Sequence, residues 1–188
     1  MKLKKNISRI EKESEKNFFP NLNYKVDLNR LISEWKSIVP PDDRYGQVSV
    51  QYSLYCENKY TDSCGKFRSN GKDAIQDRFP EIKSEEEFCL INDIYENTLF
   101  DKILCDWEGT RARLMTIKPK SSYTVHTDKT PRYHLAIDTN PHAYFIFPEG
   151  HPQLFHIPPD GHVYFINTTE PHSFVNCGTK PRTHLVFS

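Results

Sequence analysis

The chain has 188 residues, of which 25 are basic and 25 acidic, so its formal net charge is zero. This balance argues against a nucleic-acid-binding protein, which needs a basic excess on one face. The length fits a single domain. No apolar run approaches the roughly 20 residues of a membrane span, so we expect no membrane partner. Phe and Tyr, which favour strands, number 12 and 10, and this content points to β structure.

The N-terminus and the cysteines lead us to expect a cytoplasmic protein. The Lys-rich N-terminus is followed by polar residues, not by the apolar stretch of a signal peptide. The five cysteines are odd in number, scattered, and form no Cys-x-x-Cys motif. We expect free thiols in a reducing compartment, with a Cys56–Cys64 disulfide as the alternative.

The first third of the chain predicts a tail, a helix and a strand. Residues 1–24 are rich in Lys, Glu and Asn and are expected to be a solvated tail. Asp27 is a candidate N-cap for a helix whose apolar residues recur at helical spacing before Pro40. Residues 46–55 alternate between apolar and polar and predict a strand.

A long loop and two helices are expected next. Residues 56–80 are polar, and a loop of this length is either disordered or a functional lid. Ser84 and Glu87 have the spacing of a capping box, which predicts a helix over 84–89. A second helix is predicted over 93–105.

From Thr110 onward, short β-branched and aromatic runs alternate with turns rich in Pro, Gly, Asp and Asn. The runs lie near 111–117, 122–127, 132–138, 143–147, 153–157, 162–167, 172–176 and 182–187. Eight short strands at regular spacing predict a sandwich or jelly roll. The chain is therefore divided into an N-terminal α/β lobe, residues 1–106, and a β core, residues 107–188, within one structural domain.

The chemistry of the core is indicated by His126-x-Asp128 and by His172. Side chains two apart in a strand point to the same face, so His126 and Asp128 would converge. Two His and one carboxylate with open positions form the ligand set of non-haem Fe(II) oxygenases. Arg182 follows His172 by ten residues and could hold a carboxylate through its rigid guanidinium fork.

This ordered set resembles the Fe(II)/2-oxoglutarate-dependent oxygenases, and more narrowly the bacterial amino-acid hydroxylases of the aspartyl/asparaginyl β-hydroxylase-like family. The likeness covers about residues 107–188. The motifs that carry it are Arg111-Ala112-Arg113-Leu114, Tyr123-x-x-His126-x-Asp128, Pro131-Arg132-Tyr133-His134-Leu135, Thr139-Asn140-Pro141, Asn167-x-x-x-x-His172-x-x-x-Asn176-x-Gly178 and Arg182-x-His184-Leu185-Val186. The animal members lack the carboxylate ligand, whereas Asp128 supplies one here.

The resemblance implies a mainly β protein with N-terminal helices and a double-stranded β-helix (a cupin-like jelly roll). It implies that His126, Asp128 and His172 bind Fe(II) and are the catalytic residues. Arg182 and His134, and more loosely Arg132, would bind 2-oxoglutarate. The implied enzyme is a dioxygenase that uses O2 to hydroxylate an amino-acid-type substrate, a small molecule or a peptide, releasing succinate and CO2.

Several assignments stay open at this point. Either Arg111 or Arg113 could reach the substrate while the other forms a structural ion pair. Tyr123, three residues before His126, is expected to face away from the site, and Trp107 is expected in the core. His184 fits either the co-substrate or the core. The alternative functions are a cupin-like metalloprotein that does not use 2-oxoglutarate and a non-catalytic jelly-roll binding module.

Overall fold

The architecture is that of two facing β-sheets with helices packed on one of them. The structure, a computed structural model, describes residues 17–68 and 73–188. The strands in these ranges are β1 (Phe18–Lys25), β2 (Gln47–Ser49), β3 (Gln51–Tyr52), β4 (Leu90–Ile91), β5 (Arg113–Ile117), β6 (Ser121–Ser122), β7 (Arg132–Asp138), β8 (Ala143–Phe147), β9 (Gln153–Phe155), β10 (His162–Ile166), β11 (Ser173–Asn176) and β12 (Arg182–Phe187). The helices are α1 (Leu28–Ser37), α2 (Ile75–Arg78) and α3 (Leu99–Trp107), with 3-10 turns at Glu85–Glu87 and Asp93–Tyr95.

The strand order confirms the predicted double-stranded β-helix. One sheet has the order β1-β10-β7-β12-β5-β2, and the facing sheet has the order β6-β11-β8-β9. From β5 to β12 the chain crosses repeatedly between these sheets, and every paired strand is antiparallel. Strands β3 and β4 form a separate pair. The protein is therefore a mainly β jelly roll, as the eight runs after Thr110 predicted.

Alternation along the strands separates two apolar layers. On β7, Leu135 and Ile137 face the helices and pack with Leu31 of α1 and Trp107 of α3. Ala136, between them, faces the other sheet and packs with aromatic residues of that layer. The side chains that point between the sheets, toward the functional site, are thus fixed by the two-residue period of the strands.

The predicted start of α1 and the core position of Trp107 are confirmed. The Asp27 carboxylate accepts a hydrogen bond from the Arg30 backbone N–H at 3.1 Å, which is an N-cap contact. Trp107 is fully buried, and Tyr24 and Phe187 contact its ring edge to face. Helices α1 and α3 are thereby anchored to the outer face of the larger sheet.

The prediction of a solvated tail over residues 1–24 is wrong for residues 18–24. They belong to β1, which pairs with β10, and Phe18 and Phe19 stack on Phe155 and Phe165. The stabilising partners lie more than 130 residues away, so local composition gave no sign of them. Residues 1–16 lie outside the described ranges.

Three further elements differ from their predicted form. The strand over 46–55 is broken into β2 and β3, because Val50 and Gln51 both donate their backbone N–H to the Ala112 carbonyl, as at a β-bulge. The helix over 84–89 is only the 3-10 turn Glu85–Glu87. The helix over 93–105 begins at Leu99, because Asn97 adopts a left-handed conformation with φ of 60°.

The remaining predictions concern domains, thiols and membrane. The predicted boundary between an N-terminal lobe and a β core at residues 106/107 stays a prediction. Strands β1 and β2, which precede that boundary, form the two edges of the six-stranded sheet. All five cysteines lie in the described ranges and carry free thiols, so the Cys56–Cys64 disulfide does not form. Across residues 17–68 and 73–188, no helix is both long enough and apolar enough to cross a bilayer.

Gly46 provides a test of the junction between β2 and β5. Its φ is +71°, and a Cβ added there would lie 2.6 Å from the Thr116 carbonyl oxygen. Gly150 has a similar φ of +66° with nothing within 4 Å of an added Cβ. We expect Gly150→Ala to lower the free energy of unfolding by about 1–2 kcal/mol from backbone strain alone. Gly46→Ala should lower it by roughly 1–3 kcal/mol more, because the added methyl clashes with backbone.

Urea denaturation of both variants beside the wild type measures this difference. Equal losses in the two variants would contradict the close packing described for Gly46.

Candidate functional site

A cavity of about 510 Å³ opens between the two sheets. Its walls are the inner faces of β5, β7, β8, β11 and β12, the segment over residues 123–129, and residues 65–68 of the long polar loop. This volume is in the usual range for small-molecule sites. Residues 65–68 of the 56–80 loop thus form part of the cavity wall, while residues 69–72 lie outside the described ranges.

His126 and His172 are held side by side by the backbone. Each donates its N–H to the other's carbonyl at 2.9 Å, forming an isolated antiparallel bridge. Directly opposed residues on one face of an antiparallel pair bring their side chains together. The two imidazole rings accordingly lie 4.4 Å apart between centroids.

Asp128 completes a cluster with the two histidines. Its backbone N–H donates to the Thr168 carbonyl at 2.7 Å, which fixes the chain beyond His126. One potential ligand atom from each of the three residues lies within 4.8 Å of the others. The segment from 123 to 128 is not a regular strand. The cluster therefore forms through the bridge to His172 and the anchor on Thr168, not through the strand alternation that suggested it.

The histidine tautomers suit metal binding. Nδ1 of His126 lies 2.8 Å from the Thr124 carbonyl, and Nδ1 of His172 lies 2.9 Å from the Glu170 carbonyl. A carbonyl oxygen can only accept, so each Nδ1 carries the proton and each Nε2 keeps its lone pair. Burial, with a smaller contribution from His126, lowers the pKa of His172 and favours its neutral form. The donor set fits a divalent transition metal such as iron.

Arg182 lies buried at the base of the cavity, with 1% of its surface exposed. Its guanidinium donates through Nη2 to Nδ1 of His184 and stacks 4.0 Å from the ring centroid of Phe174. Its Nε has no hydrogen-bond partner, and no described carboxylate forms an ion pair with it. Burial lowers the pKa of Arg182 to about 9, so the group is cationic at pH 7.

Two neutral histidines accompany Arg182 on the inner face of the larger sheet. His134 packs edge to face on Phe145, and its Nδ1 is buried without a hydrogen-bond partner. His184 accepts from Arg182 through Nδ1, and its Nε2 is likewise unpartnered. Burial, reinforced by the charge of Arg182, holds the pKa of both well below the ordinary value. His134 lines the cavity and offers a ligand a hydrogen-bonding group without positive charge, whereas His184 lies outside the lining and contacts Arg182.

Arg132 contacts carboxylates of the protein itself. Its Nη1 lies 2.7 Å from Oε2 of Glu85, and its Nε lies 3.4 Å from Oδ2 of Asp128. The assignment of Arg132 to 2-oxoglutarate stays a prediction. Arg132 instead contacts the carboxylate of Asp128 and so helps to fix the position of that residue in the cluster.

Glu85 is a buried residue that the sequence did not single out. Its carboxylate accepts hydrogen bonds from Arg111, Arg132 and Thr130. Burial alone would raise its pKa, but the charges of Arg111 and Arg132 hold the pKa of Glu85 well below the ordinary value. It belongs to a run of three glutamates, and its partners lie 26 to 47 residues along the chain. No local signal distinguished it from its neighbours.

Tyr123 departs from the sequence prediction that it faces away from the site. It lines the cavity beside His126. The prediction assumed a regular strand, whereas β6 ends at Ser122. The other histidines lie elsewhere: His142 and His151 are exposed, and Nδ1 of His162 contacts backbone carbonyls of β1.

The fold and the site together define a jelly-roll protein with a His-Asp-His cluster in its cavity. No protein-family model matches the chain, and no curated protein is similar to it in sequence.

Solved structures that are similar include a 2OG-Fe(II) oxygenase family protein from Burkholderia pseudomallei, at 19% identity over 42% of this chain and 41% of that one, with a TM-score of 0.37. A prolyl-4-hydroxylase from Pseudomonas putida shows 16% identity over 40% and 48% of the two chains, with a TM-score of 0.33. A cupin domain from Bordetella pertussis shows 14% identity over 41% and 77%, with a TM-score of 0.33. The chain spans less than half of the first two proteins.

The first site prediction concerns metal uptake. Loss of a residue that only orients a metal ligand commonly lowers metal affinity 10- to 100-fold. We therefore expect His172→Ala to weaken Fe(II) binding by about 100-fold or more, measured anaerobically by titration. His142→Ala, which changes an exposed histidine outside the cluster, should bind as the wild type does. Equal affinity in both variants would mean that the cluster does not hold the metal.

The second site prediction concerns Glu85. Glu85→Gln removes the counter-charge of two buried guanidiniums, and breaking such a pair costs about 3–5 kcal/mol of unfolding free energy. Because the pKa of Glu85 is lowered on folding, its contribution is complete at neutral pH and is lost as pH falls below about 4.3, its ordinary value.

Denaturant unfolding at a series of pH values measures both effects. The acid-side loss of stability should be smaller in Glu85→Gln than in the wild type. The matched control is Glu86→Gln, an exposed neighbour in the same turn, which should leave stability and its pH dependence unchanged. Identical curves for the two variants would contradict the role given to Glu85.

Proposed function

We propose that the protein is an Fe(II)- and 2-oxoglutarate-dependent dioxygenase that hydroxylates an amino-acid-type substrate. The observation that carries the proposal is one cavity containing both a His-Asp-His cluster and a buried arginine without a carboxylate partner among the described residues. The cluster alone would suit many metals and reactions. The guanidinium of Arg182 has no carboxylate partner among the described residues, so it supplies the positive charge that the second carboxylate of a dicarboxylic co-substrate needs.

In this proposal His126, His172 and Asp128 hold the iron. The two Nε2 atoms carry lone pairs because each Nδ1–H is bound to a carbonyl, and Asp128 supplies an anionic oxygen. Three protein ligands leave positions open on a six-coordinate metal for co-substrate and oxygen. When bound, iron and 2-oxoglutarate supply activation of O2, with one oxygen atom entering succinate as CO2 leaves and the other entering a C–H bond of the substrate.

Arg182 is the proposed anchor for the distal carboxylate of 2-oxoglutarate. A buried guanidinium is strongly unfavourable without a counter-charge, and a carboxylate can accept two parallel hydrogen bonds from it. His134, which is neutral and lines the cavity, lies near this position with an unpartnered Nδ1, and His184 accepts a hydrogen bond from the guanidinium itself. Phe145 and Phe174 close the cavity around the guanidinium and exclude water from it.

The test of the proposal is succinate release from 2-oxoglutarate by the Fe(II)-loaded protein, with free amino acids and short peptides supplied in turn. We expect at least one candidate to stimulate succinate formation and to gain one oxygen atom, both measured by mass spectrometry. A protein that binds iron but never consumes 2-oxoglutarate would instead be a cupin-like metalloprotein of another activity. A protein that binds no metal would be a binding module.

Substitution of Arg182 separates the co-substrate from the metal. Removing one partner of a buried charge pair costs about 2–5 kcal/mol, so Arg182→Gln should raise KM for 2-oxoglutarate by about 100-fold. Its Fe(II) affinity should stay that of the wild type. The control Arg30→Gln changes an exposed arginine of α1 and should alter neither value. An unchanged KM in Arg182→Gln would overturn the assignment of the co-substrate anchor.

A further inference from the structure

Asp128 is the member of the cluster that the backbone bridge does not hold. The two histidines are fixed by their paired main-chain hydrogen bonds, whereas Asp128 lies in the irregular segment before β7, which begins at Arg132. The backbone N–H of Asp128 is bonded to Thr168, but this contact does not set the direction of the carboxylate. A side chain on an irregular segment needs contacts of its own to keep a productive position.

Arg132 supplies such a contact. Its Nε lies 3.4 Å from Oδ2 of Asp128. Among the described residues, it is the one arginine that forms an ion pair with a member of the cluster. A guanidinium is a flat and rigid group, so a carboxylate beside its Nε is oriented once the guanidinium itself is fixed. The position of Asp128 therefore depends on what fixes Arg132.

Glu85 holds the other end of that guanidinium. Nη1 and Nη2 of Arg132 donate to the two carboxylate oxygens of Glu85 at 2.7 and 2.9 Å, which is the bidentate geometry of a strong Arg–carboxylate pair. The two side chains are 4% and 6% exposed, so solvent screens the pair only weakly. Glu85 thereby fixes the plane of the guanidinium whose Nε faces Asp128.

Glu85 also contacts the chain between Asp128 and Arg132. Thr130, midway between them, donates from Oγ1 to Oε2 of Glu85 at 2.6 Å. The Thr130 carbonyl accepts from Oγ1 of Thr168 at 2.9 Å, and the Thr168 carbonyl accepts from the N–H of Asp128 at 2.7 Å. Thr168 therefore fixes the backbone of this segment, while Glu85 fixes two of its side chains.

Arg111 shares this carboxylate with Arg132 but forms no ion pair with the cluster within the described ranges. It is 1% exposed, and its Nη1 pairs with Oε1 of Glu85. Its other donors reach the backbone carbonyls of Ser63 and Gly65. Arg111 is thus the structural ion pair of the two arginines that the sequence left unranked. It is also a matched control for Arg132.

The other two buried arginines of the cavity, Arg113 and Arg182, form no ion pair with a described carboxylate. In the β5–β12 pairing Arg182 lies opposite Ile117, which is four residues from Arg113. The two are therefore separated by about 13 Å along the strands at 3.3 Å per residue. Neither shares the contact between Glu85 and the cluster.

We propose that Glu85 is a positioning residue for the cluster, acting through Arg132 and Thr130 to hold Asp128 where a metal binds it. The inference rests on the metal site of the proposed function. It assigns Arg132 to carboxylates of the protein itself, whereas the family resemblance implies a contact with 2-oxoglutarate. The metal affinity of the β core then depends on a residue from the N-terminal part of the chain.

The experiment compares two lysine variants that keep the charge. A lysine has one ammonium group and cannot hold Glu85 in two bonds while it orients Asp128. We expect Arg132→Lys to bind Fe(II) about 10- to 100-fold more weakly than the wild type, measured anaerobically by titration without 2-oxoglutarate. Arg111→Lys should bind Fe(II) as the wild type does. Both variants should unfold at a lower temperature, because each weakens a buried pair.

Two further comparisons separate positioning from a general loosening of the fold. In a protein that already carries Asp128→Ala, Arg132→Lys should cause no further loss of Fe(II) affinity, because the residue that it positions is gone. Glu85→Gln should weaken Fe(II) binding in the same direction as Arg132→Lys, and it provides the test if the lysine variant does not fold. Glu86→Gln, which changes the exposed neighbour, should leave Fe(II) binding unchanged.

The outcomes separate this inference from the proposed function. Wild-type Fe(II) affinity in Arg132→Lys would overturn the inference, and lost 2-oxoglutarate binding in that variant would return Arg132 to the co-substrate. Equal losses of Fe(II) affinity in Arg132→Lys and Arg111→Lys would also overturn it, since both arginines would then be structural. The expected affinities without succinate release from any candidate substrate would retain the positioning role and reject the hydroxylase.

Discussion

Two backbone hydrogen bonds between His126 and His172 position the centre of this molecule. The regular pairing of β6 with β11 is short, and beyond it the Tyr123 N–H still reaches the Phe174 carbonyl. The bridge at His126 and His172 continues that pairing after the strand itself has ended. The imidazoles are therefore held together by main-chain contacts and by their Nδ1–H bonds to nearby carbonyls. Main-chain contacts thus place the two imidazoles side by side, which is the preorganisation that a binding site requires.

Charge on the inner face of the larger sheet is the second constraint. The interior of a small jelly roll is commonly filled by apolar side chains, but β5, β7 and β12 place arginines and histidines there. Glu85 neutralises two of the arginines from outside the core strands, and the histidines are neutral. Arg113 and Arg182 are left at opposite ends of one cavity. The fold accepts two buried cations that have no ion-pair partner among the described carboxylates, a cost typical of functional sites.

The sequence predicted what depends on local periodicity and spacing. The bounds of β7, β8 and β12 match because alternation within each strand is clear, and the spacing of His126, Asp128 and His172 led to the cluster. It could not predict what depends on distant partners. β1 is defined by β10, and Glu85 by arginines on other elements. Tyr123 was misplaced because the two-residue period was extended beyond the end of its strand.

The two parts of the chain contribute different sides of the cavity. The cluster and Arg182 come from residues after 107, on strands or anchored to them. Glu85, Gln47 and residues 65–68, which shape the other end of the cavity, come from the first hundred residues. Glu85 pairs with Arg111 and Arg132, whereas Arg113 has no ion-pair partner among the described carboxylates. A change in the N-terminal part could therefore alter the charge presented to a substrate without moving the backbone bridge that holds the two histidines.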